Sequence, residues 1–291
     1  MKRILLIIII LTILSLSPPS YAEYIVKLNT DIIKFDNSQI NYIFGDWAIV
    51  NSFDDLDISY VQDNYTYTAC EVTDKPLIIT ATDMSQIAIK QPKKSSTIAI
   101  LDTGVDLLND VLKAYVTKQY NTINDSDNAQ DECGHGTHIA GIITTLSGNK
   151  IMPVKVLNGN GTGKSSDIAI GIKWAVDQGA KIINLSLGGT KYDQLMKEAI
   201  DYAVEHGCIV VCASGNTYGE RTVYPACLPN TISVGSIDKE GNISKFSNRG
   251  DSVDIYAIGN TKSIDLNGEY KEKSGTSMSC AIVSAELSLV F

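Results

Sequence analysis

Three polar segments of the chain carry the residue types of nucleophilic catalysis. They read "DTGVD" at 102–106, "GHGTH" at 134–138 and "SGTSMS" at 274–279. A serine hydroxyl becomes a nucleophile when a base accepts its proton, and an imidazole can be that base near neutral pH. A carboxylate can hold the imidazole in the required tautomer. Asp102, one of the histidines His135 and His138, and Ser277 are therefore candidates for a hydrolytic triad.

Each segment taken alone also has a simpler interpretation. Asp102 before Gly104 could form a turn, and the Gly-Thr-Ser segment could only cap a helix. The two histidines could bind a metal ion together with Cys133, although no fourth ligand is identified. Asp-Thr-Gly also marks aspartic proteases, but these need two such aspartates and the chain has one. The presence of all three segments on one chain favours nucleophilic catalysis.

The elements that must position these residues follow an α/β pattern. Apolar segments without alternation predict buried strands at 97–101, 151–157, 181–187, 208–213, 231–235 and 253–257. Amphipathic segments between them predict helices, one of them capped by Ser165 and Ser166. This pattern indicates a parallel sheet with helices on both faces, in which sites form at the carboxyl ends of strands. The three polar segments lie at such junctions.

The region before this pattern has a different composition. Lys2 and Arg3 precede an apolar run at 4–16, and small residues follow at 20–22, which predicts a secretory signal peptide over 1–22. An uncleaved N-terminal anchor is the alternative. The next stretch, to about residue 90, contains short β-prone runs and a single glycine, Gly45. "QPKKSS" at 91–96 reads as a linker.

Net charge and cysteine content limit the classes of partner. A formal net charge of −9 argues against nucleic acid as a partner. Export would permit disulfides, and six thiols allow 15 complete pairings, among which the sequence does not choose. A bridge within Cys208, Cys212 and Cys227 is possible, whereas Cys280 reads as a buried helix thiol. The remaining two cysteines are Cys70 and Cys133.

The chain resembles the subtilisin-like serine proteases over most of residues 97–291. The matching segments are "AILDTGVD", "GHGTHIAG", "VKVLNGNGTG", "NLSLGG", "CASGN", "YPA" and "SGTSMS". The resemblance implies a subtilisin-like three-layer α/β fold with a mostly parallel central sheet, C-terminally truncated and preceded by a small prosegment. After the signal peptide at 1–22, it implies a prosegment and linker at 23–92 and a catalytic domain at 93–291. Among the two histidines, it assigns the catalytic role to His135.

The resemblance further implies where a substrate binds. Asn216 and the backbone N–H of Ser277 would form the oxyanion hole. The backbones of residues 161–163 and 186–188 would form two edges that pair with an extended peptide. Residues 187–189 and 213–215 would form the two walls of an apolar pocket for the side chain before the scissile bond. The substrate-binding residues so implied are Gly161, Thr162, Gly163, Ser186, Leu187, Gly188, Ala213, Ser214 and Gly215. No charged residue lies in these segments, so a broad apolar specificity is expected.

The expected protein is a secreted or extracytoplasmic, monomeric serine endopeptidase acting on polypeptides without a cofactor. Its prosegment would act as an intramolecular inhibitor and would be removed by self-cleavage at the linker. The family often has a calcium-binding loop after the histidine helix, but "LSGNKIMPVKVL" leaves no room for one, so structural calcium is not expected. Because only fourteen residues follow Ser277, a fragile active site is expected, and an exported pseudoprotease that binds peptides without cleaving them is the rival hypothesis.

Overall fold

The computed structural model describes residues 24–28, 40–44, 47–50, 58–69, 82–83, 96–219 and 221–290. The chain divides into two compact units, residues 1–64 and 65–291. The expected signal segment and nearly all of the expected linker lie outside the described residues. Within the described residues, no helix has the length and apolar character needed to cross a membrane.

The first unit contains a four-stranded antiparallel sheet. Its strands are β1 (Tyr24–Leu28), β2 (Ile40–Phe44), β3 (Trp47–Val50) and β4 (Ile58–Asp63). They lie in the order β2-β3-β1-β4. The ring of Trp47 is buried and meets the edge of the Tyr60 ring at a centroid distance of 5.6 Å. The β-prone runs read from the sequence are therefore strands of this small sheet.

The second unit is built on a seven-stranded sheet in which all neighbouring strands are parallel. Its strands are β7 (Thr97–Asp102), β8 (Tyr120–Asn121), β9 (Lys150–Lys155), β11 (Ile182–Leu185), β13 (Ile209–Ala213), β14 (Thr231–Ile237) and β15 (Ile255–Ile258). They lie in the order β15-β14-β13-β11-β7-β9-β8. The predicted parallel sheet is confirmed, and the first polar segment follows a strand in its centre.

Helices cover this sheet on both faces. They are α1 (Asp110–Lys113), α2 (His135–Ser147), α3 (Ser165–Asp177), α4 (Gln194–Glu205) and α5 (Thr276–Leu287). α2 packs against α5, and α3 packs against α4. Successive side chains of a strand point to opposite faces, so Ile98 and Ile100 join the core with α2 and α5 while Leu101 approaches Gly171 of α3. The result is the three-layer α/β fold that the resemblance implied.

Two three-stranded sheets complete the second unit. They are formed by β5 (Thr66–Ala69), β6 (Thr82–Asp83), β10 (Thr162–Lys164), β12 (Leu187–Gly188), β16 (Asn260–Ile264) and β17 (Tyr270–Ser274). One sheet has the order β10-β5-β12 and the other has the order β17-β16-β6. β16 and β17 form an antiparallel hairpin, and α2 packs against β16.

Two local expectations were wrong. Ser165 and Ser166 do not cap α3 but are its first two residues, because the extended backbone of Lys164 forms the N-cap. No disulfide forms within Cys208, Cys212 and Cys227 in the structure. Cys208 directly precedes β13 and Cys212 lies four positions further on, a distance of about 13 Å in an extended strand. Cys70 lies outside the described residues.

Candidate active site

The carboxylate of Asp102 and the imidazole of His135 are in direct contact. Asp102 is the last residue of β7, and His135 is the first residue of α2. Oδ1 of Asp102 lies 2.7 Å from Nδ1 of His135, and both residues are fully buried. A Cβ at Gly136 would meet the Gly104 carbonyl oxygen at 2.1 Å, so only glycine permits this approach of helix and loop. The close contact is therefore built into the backbone.

A second carboxylate fixes the first turn of α2. The N-cap Gly134 supplies no side-chain acceptor. Asp131 accepts instead from the backbone N–H groups of Cys133, Gly134 and Thr137 and from the Thr137 hydroxyl, at 2.6–3.0 Å. Burial acts to raise the pKa of Asp131, but these hydrogen bonds outweigh it and hold the pKa below its ordinary value. The ionised carboxylate caps the helix that begins at His135.

His138 lies on the side of α2 that faces the β16–β17 hairpin. Its Nε2 is 3.0 Å from the carbonyl oxygen of Lys271, and the Ser263 hydroxyl donates to its backbone carbonyl. Burial, followed by the charge of Lys273, lowers the pKa of His138 to about 3. The histidine is neutral at ordinary pH and contacts the hairpin, while His135 contacts Asp102.

Ser277 is the second residue of α5, whose N-terminal turn lies at the carboxyl edge of the sheet. Its hydroxyl donates to the backbone carbonyl of Ser186 at 3.0 Å. The Ser186 hydroxyl donates in turn to the carbonyl of Ser277 at 3.1 Å. α5 packs against α2, and Asn149 after α2 donates to Ser288 after α5, so the two helices run in the same direction. His135 and Ser277 therefore lie at the same end of the sheet.

The side-chain amide of Asn216 is held through its oxygen, and its nitrogen points away from the residue that holds it. Its Oδ1 accepts from the backbone N–H of Thr276 at 2.9 Å and from the Thr276 hydroxyl at 3.0 Å. Its Nδ2 is buried and has no hydrogen-bond partner among the described residues. A buried donor without an acceptor is costly, and such a donor at a catalytic site can be used by an anion that forms during the reaction.

An extended segment of the chain itself lies between the two edges implied to bind substrate. Strand β5 pairs antiparallel with β10 and with β12. Thr68 lies opposite both Thr162 and Gly188, and the backbone N–H of Ala69 donates to the Gly161 carbonyl at 2.9 Å. Both edges can therefore hold a peptide by main-chain hydrogen bonds, which is β-strand addition.

The side chain of Tyr67 in β5 is inserted into the protein. It is 1% exposed, and a Cβ on Gly189 would lie 3.3 Å from its ring, so glycine leaves room for the ring at this wall. Burial and the nearby charge of Asp193 raise the pKa of Tyr67 far above its ordinary value. The neighbouring residue Thr68 is exposed, so the segment is anchored by Tyr67 and by its backbone.

The two implied pocket walls follow the carboxyl ends of adjacent strands. Leu187 comes two residues after β11 and is followed by Gly188, and Ala213 ends β13, which pairs with β11. Ser214 is buried, and its backbone N–H donates to Val234. Gly215 has φ +103°, and a Cβ there would lie 2.6 Å from Nδ2 of Asn248. The walls are formed by backbone and small side chains.

The residues after α2 do not fit a calcium-binding loop. α2 ends at Ser147, Gly148 is its left-handed C-cap, and β9 begins at Lys150. This two-residue connection offers no set of carboxylate and carbonyl ligands. In the part of the chain that the structure describes, no group of three His, Cys, Asp or Glu side chains could hold a metal ion.

Sequence reasoning missed several residues of the site. Asp131, Asn184 and Thr276 were given no role, and β5 was not placed beside the substrate edges. Thr276 stands inside "SGTSMS" and Asn184 inside "NLSLGG", so both belonged to segments already singled out. The partners of the Asn184 amide oxygen are hydroxyl and thiol groups of α5, about a hundred residues away in the chain.

The geometry defines an α/β protein of the three-layer type with a hydrolase-like site at the carboxyl edge of its sheet. The chain belongs to the Subtilase family, whose model matches residues 93–291. It is 37% identical to thermitase of Thermoactinomyces vulgaris over 205 residues, which cover 66% of this chain and 74% of thermitase. It is also 37% identical to the thermophilic serine proteinase of Bacillus sp. (strain AK1), covering 66% of this chain and 51% of that protein.

A solved structure supports the same assignment. The crystal structure of a cold adapted subtilisin-like serine proteinase matches with a TM-score of 0.64 and 28% identity, covering 71% of this chain and 83% of that one. The chain spans about half the length of the Bacillus sp. relative. Relatives from Bacillus subtilis (strain 168) are named both for an extracellular location, at 31% identity, and for an intracellular one, at 35%.

Proposed function

We propose that this protein is a serine endopeptidase that uses Asp102, His135 and Ser277 as its triad and Asn216 in its oxyanion hole. One observation carries the proposal. An extended segment, β5, pairs with Leu187 and Gly188. The carbonyl of Ser186, the residue before them, accepts from the Ser277 hydroxyl. The edge that holds an extended segment is therefore continuous with the residue that contacts the candidate nucleophile. Membership of the Subtilase family and relatives named as serine proteinases support the same activity.

The proposed reaction begins when the Ser277 hydroxyl turns from Ser186 toward His135 and gives its proton to the imidazole. Ser277 Oγ then attacks the peptide carbonyl, while Asp102 stabilises the imidazolium through the 2.7 Å contact. The carbonyl oxygen becomes an anion that accepts from Nδ2 of Asn216 and from the backbone N–H of Ser277. His135 returns the proton to the leaving amine, and water releases the acyl group by the same steps.

The proposed specificity before the scissile bond is broad and apolar. The walls formed by 187–189 and 213–215 contain Leu, Ala, Ser and Gly but no charged side chain. A charged substrate side chain placed there would lose hydration without gaining a partner. Peptides with apolar side chains at that position should therefore be cleaved faster than peptides with Lys or Asp.

We further propose that residues 23–92 form a prosegment and that β5 is its inhibitory strand. The pairing of β5 with both edges supports this role, because it uses the hydrogen bonds that a substrate would need. Self-cleavage is proposed at the linker 91–96, between this prosegment and the catalytic domain. N-terminal sequencing of the processed wild type and of an unprocessed Ser277→Ala chain tests this site.

Export is proposed from the sequence of residues 1–22. A basic start, an apolar run and small residues support removal of a signal peptide outside the cytoplasm. Expression of the full chain, followed by sequencing of the protein recovered from the medium, tests both location and cleavage.

The experiment for the activity compares two serines of the same helix. Ser277→Ala should abolish hydrolysis of an apolar peptide substrate. Ser279→Ala is the matched control, because Ser279 is also buried in α5 but donates to the Ala257 carbonyl. Loss of hydrolysis in the first variant alone supports the proposal. Hydrolysis that survives Ser277→Ala would reject it, and a folded wild type that binds peptides without cleaving them would favour a pseudoprotease.

A further inference from the structure

A buried asparagine connects the central sheet to the helix that carries Ser277. Asn184 belongs to β11 between Ile183 and Leu185, and β11 lies between β7 and β13 in the sheet. Asn184 is fully buried. An amide in such an apolar strand costs free energy unless all its polar atoms are hydrogen-bonded, so its partners indicate what it does.

Both ends of the Asn184 amide have partners. Nδ2 donates to the Ser186 hydroxyl at 2.9 Å. Oδ1 accepts from the Ser284 hydroxyl at 3.0 Å, and the Cys280 thiol lies 3.3 Å away as a second donor. Ser284 and Cys280 are on α5, whereas Ser186 follows β11. The amide therefore links the end of the strand to the second and third turns of the helix.

The direction of these hydrogen bonds determines what Ser186 can do. Because Asn184 Nδ2 can only donate, the Ser186 hydroxyl accepts from it and keeps its own proton for another acceptor. That acceptor is the Ser277 carbonyl, 3.1 Å away. The Ser186 carbonyl accepts in turn from the Ser277 hydroxyl. Ser277 is thus held by Ser186 at its carbonyl and at its side chain, and Asn184 orients Ser186.

We propose that Asn184 is a positioning residue for the nucleophile, acting through the Ser186 hydroxyl and through α5. The inference rests on the proposed function, since it assumes that Ser277 reacts. A displacement of a reacting atom by about 1 Å can cost about 10²-fold in rate. Asn184→Ala leaves the Ser186 and Ser284 hydroxyls without their partner and frees the start of α5 to shift.

The opposite end of α5 provides a matched control. Asn149 is also a buried amide, and its Nδ2 donates to the carbonyl and the hydroxyl of Ser288, both at 3.0 Å. Asn149→Ala therefore removes a comparable link between a loop and the same helix, but far from Ser277. If buried amides on α5 only stabilise the fold, the two variants should behave alike.

The test measures the rate constant for labelling of the full chain by a fluorophosphonate, which needs the nucleophile and its base but no peptide edge. Asn184→Ala should label about 10- to 100-fold more slowly than wild type. Asn149→Ala should stay close to wild type, even when urea unfolding shows a similar loss of stability. With a peptide substrate, Asn184→Ala should lower kcat and leave KM nearly unchanged.

Several results would overturn the inference. A folded Asn184→Ala protein that labels at the wild-type rate would contradict it. A raised KM together with a normal labelling rate would also contradict it, because Asn184 would then act on the substrate edge. The double variant Asn184→Ala, Ser186→Ala should label no more slowly than the slower of the two single variants. Additive losses in labelling rate would show that Asn184 does not act through Ser186. If Asn184→Ala does not fold, Ser284→Ala replaces it, and unchanged labelling there counts against the proposal. A wild type that never labels rejects the proposed function instead.

Discussion

Oδ1 of Asp102 lies 2.7 Å from Nδ1 of His135 in a position from which water is excluded. The contact joins the last residue of β7 to the first residue of α2, so the positions of the two side chains are fixed by the strand and the helix that carry them. A neutral imidazole bonded in this way carries its proton on Nδ1 and leaves Nε2 as the base. In the proposed reaction, the contact therefore determines which nitrogen of His135 is available as the base.

Asp102→Asn should lower kcat by about 10⁴-fold, because an asparagine favours the wrong imidazole tautomer and cannot stabilise the imidazolium. The measurement is kcat on an apolar peptide substrate. Asp106→Asn is the control, since Asp106 is also buried in "DTGVD" but accepts from Leu108, Gln130 and Asn267. Equal losses in both variants would mean that the segment is needed only for folding.

Asn216→Leu should lower kcat by about 10²- to 10³-fold with little change in KM, because it removes a donor needed mainly in the transition state. Steady-state kinetics on one peptide substrate give both constants. Thr276→Ser keeps the hydroxyl that bonds Oδ1 of Asn216 and should retain most of the activity. A rise in KM with unchanged kcat would instead make Asn216 a substrate-binding residue.

Tyr67→Ala should weaken inhibition by β5 and speed the onset of activity. Removing a fully buried aromatic side chain costs about 3–5 kcal/mol, which corresponds to more than about 100-fold in affinity. The measurement is the time course of peptide hydrolysis after purification of the full chain. Thr68→Ala is the matched control, because Thr68 is exposed on the same strand. If both variants activate at the wild-type rate, β5 is not an inhibitor.

Stability should fall as pH decreases below about 6.5, and His138 should be a major cause. Burial lowers its pKa in the folded state to about 3, so between these values the unfolded chain binds a proton that the folded protein does not. Stability then decreases by about 1.4 kcal/mol for each pH unit. Urea unfolding of Ser277→Ala at several pH values measures this slope. Adding His138→Asn should flatten the slope, and an unchanged slope would show that other groups dominate.

The sheet and its helices were predictable because they depend on local pattern. Apolar runs such as 97–101 and 209–213 predict buried strands, and the glycine and polar residues after them mark their carboxyl ends. The three-layer fold was confirmed for this reason. Asp102 and His135 lie in two polar segments that both fall at the carboxyl edge of the predicted sheet, so their proximity follows once the parallel sheet is assumed.

Other features depend on contacts that no local pattern carries. Strand β5 reads only as "TYTA", and its two pairing edges are about a hundred residues away in the chain. Asn184 interrupts an apolar run without indicating that its partners lie on α5. Serine is a common N-cap residue, but the N-cap position of α3 is occupied by Lys164 and not by Ser165. Tertiary contacts decided each of these cases.

Labelling of Ser277 by a fluorophosphonate, located by mass spectrometry of the digested protein, tests the central claim most directly. The reagent forms a covalent bond to a serine only where a base removes the hydroxyl proton. The account predicts one modified residue, Ser277, and no labelling of Ser277→Ala or of His135→Ala. A folded protein that stays unlabelled, or one labelled at another serine, would contradict it.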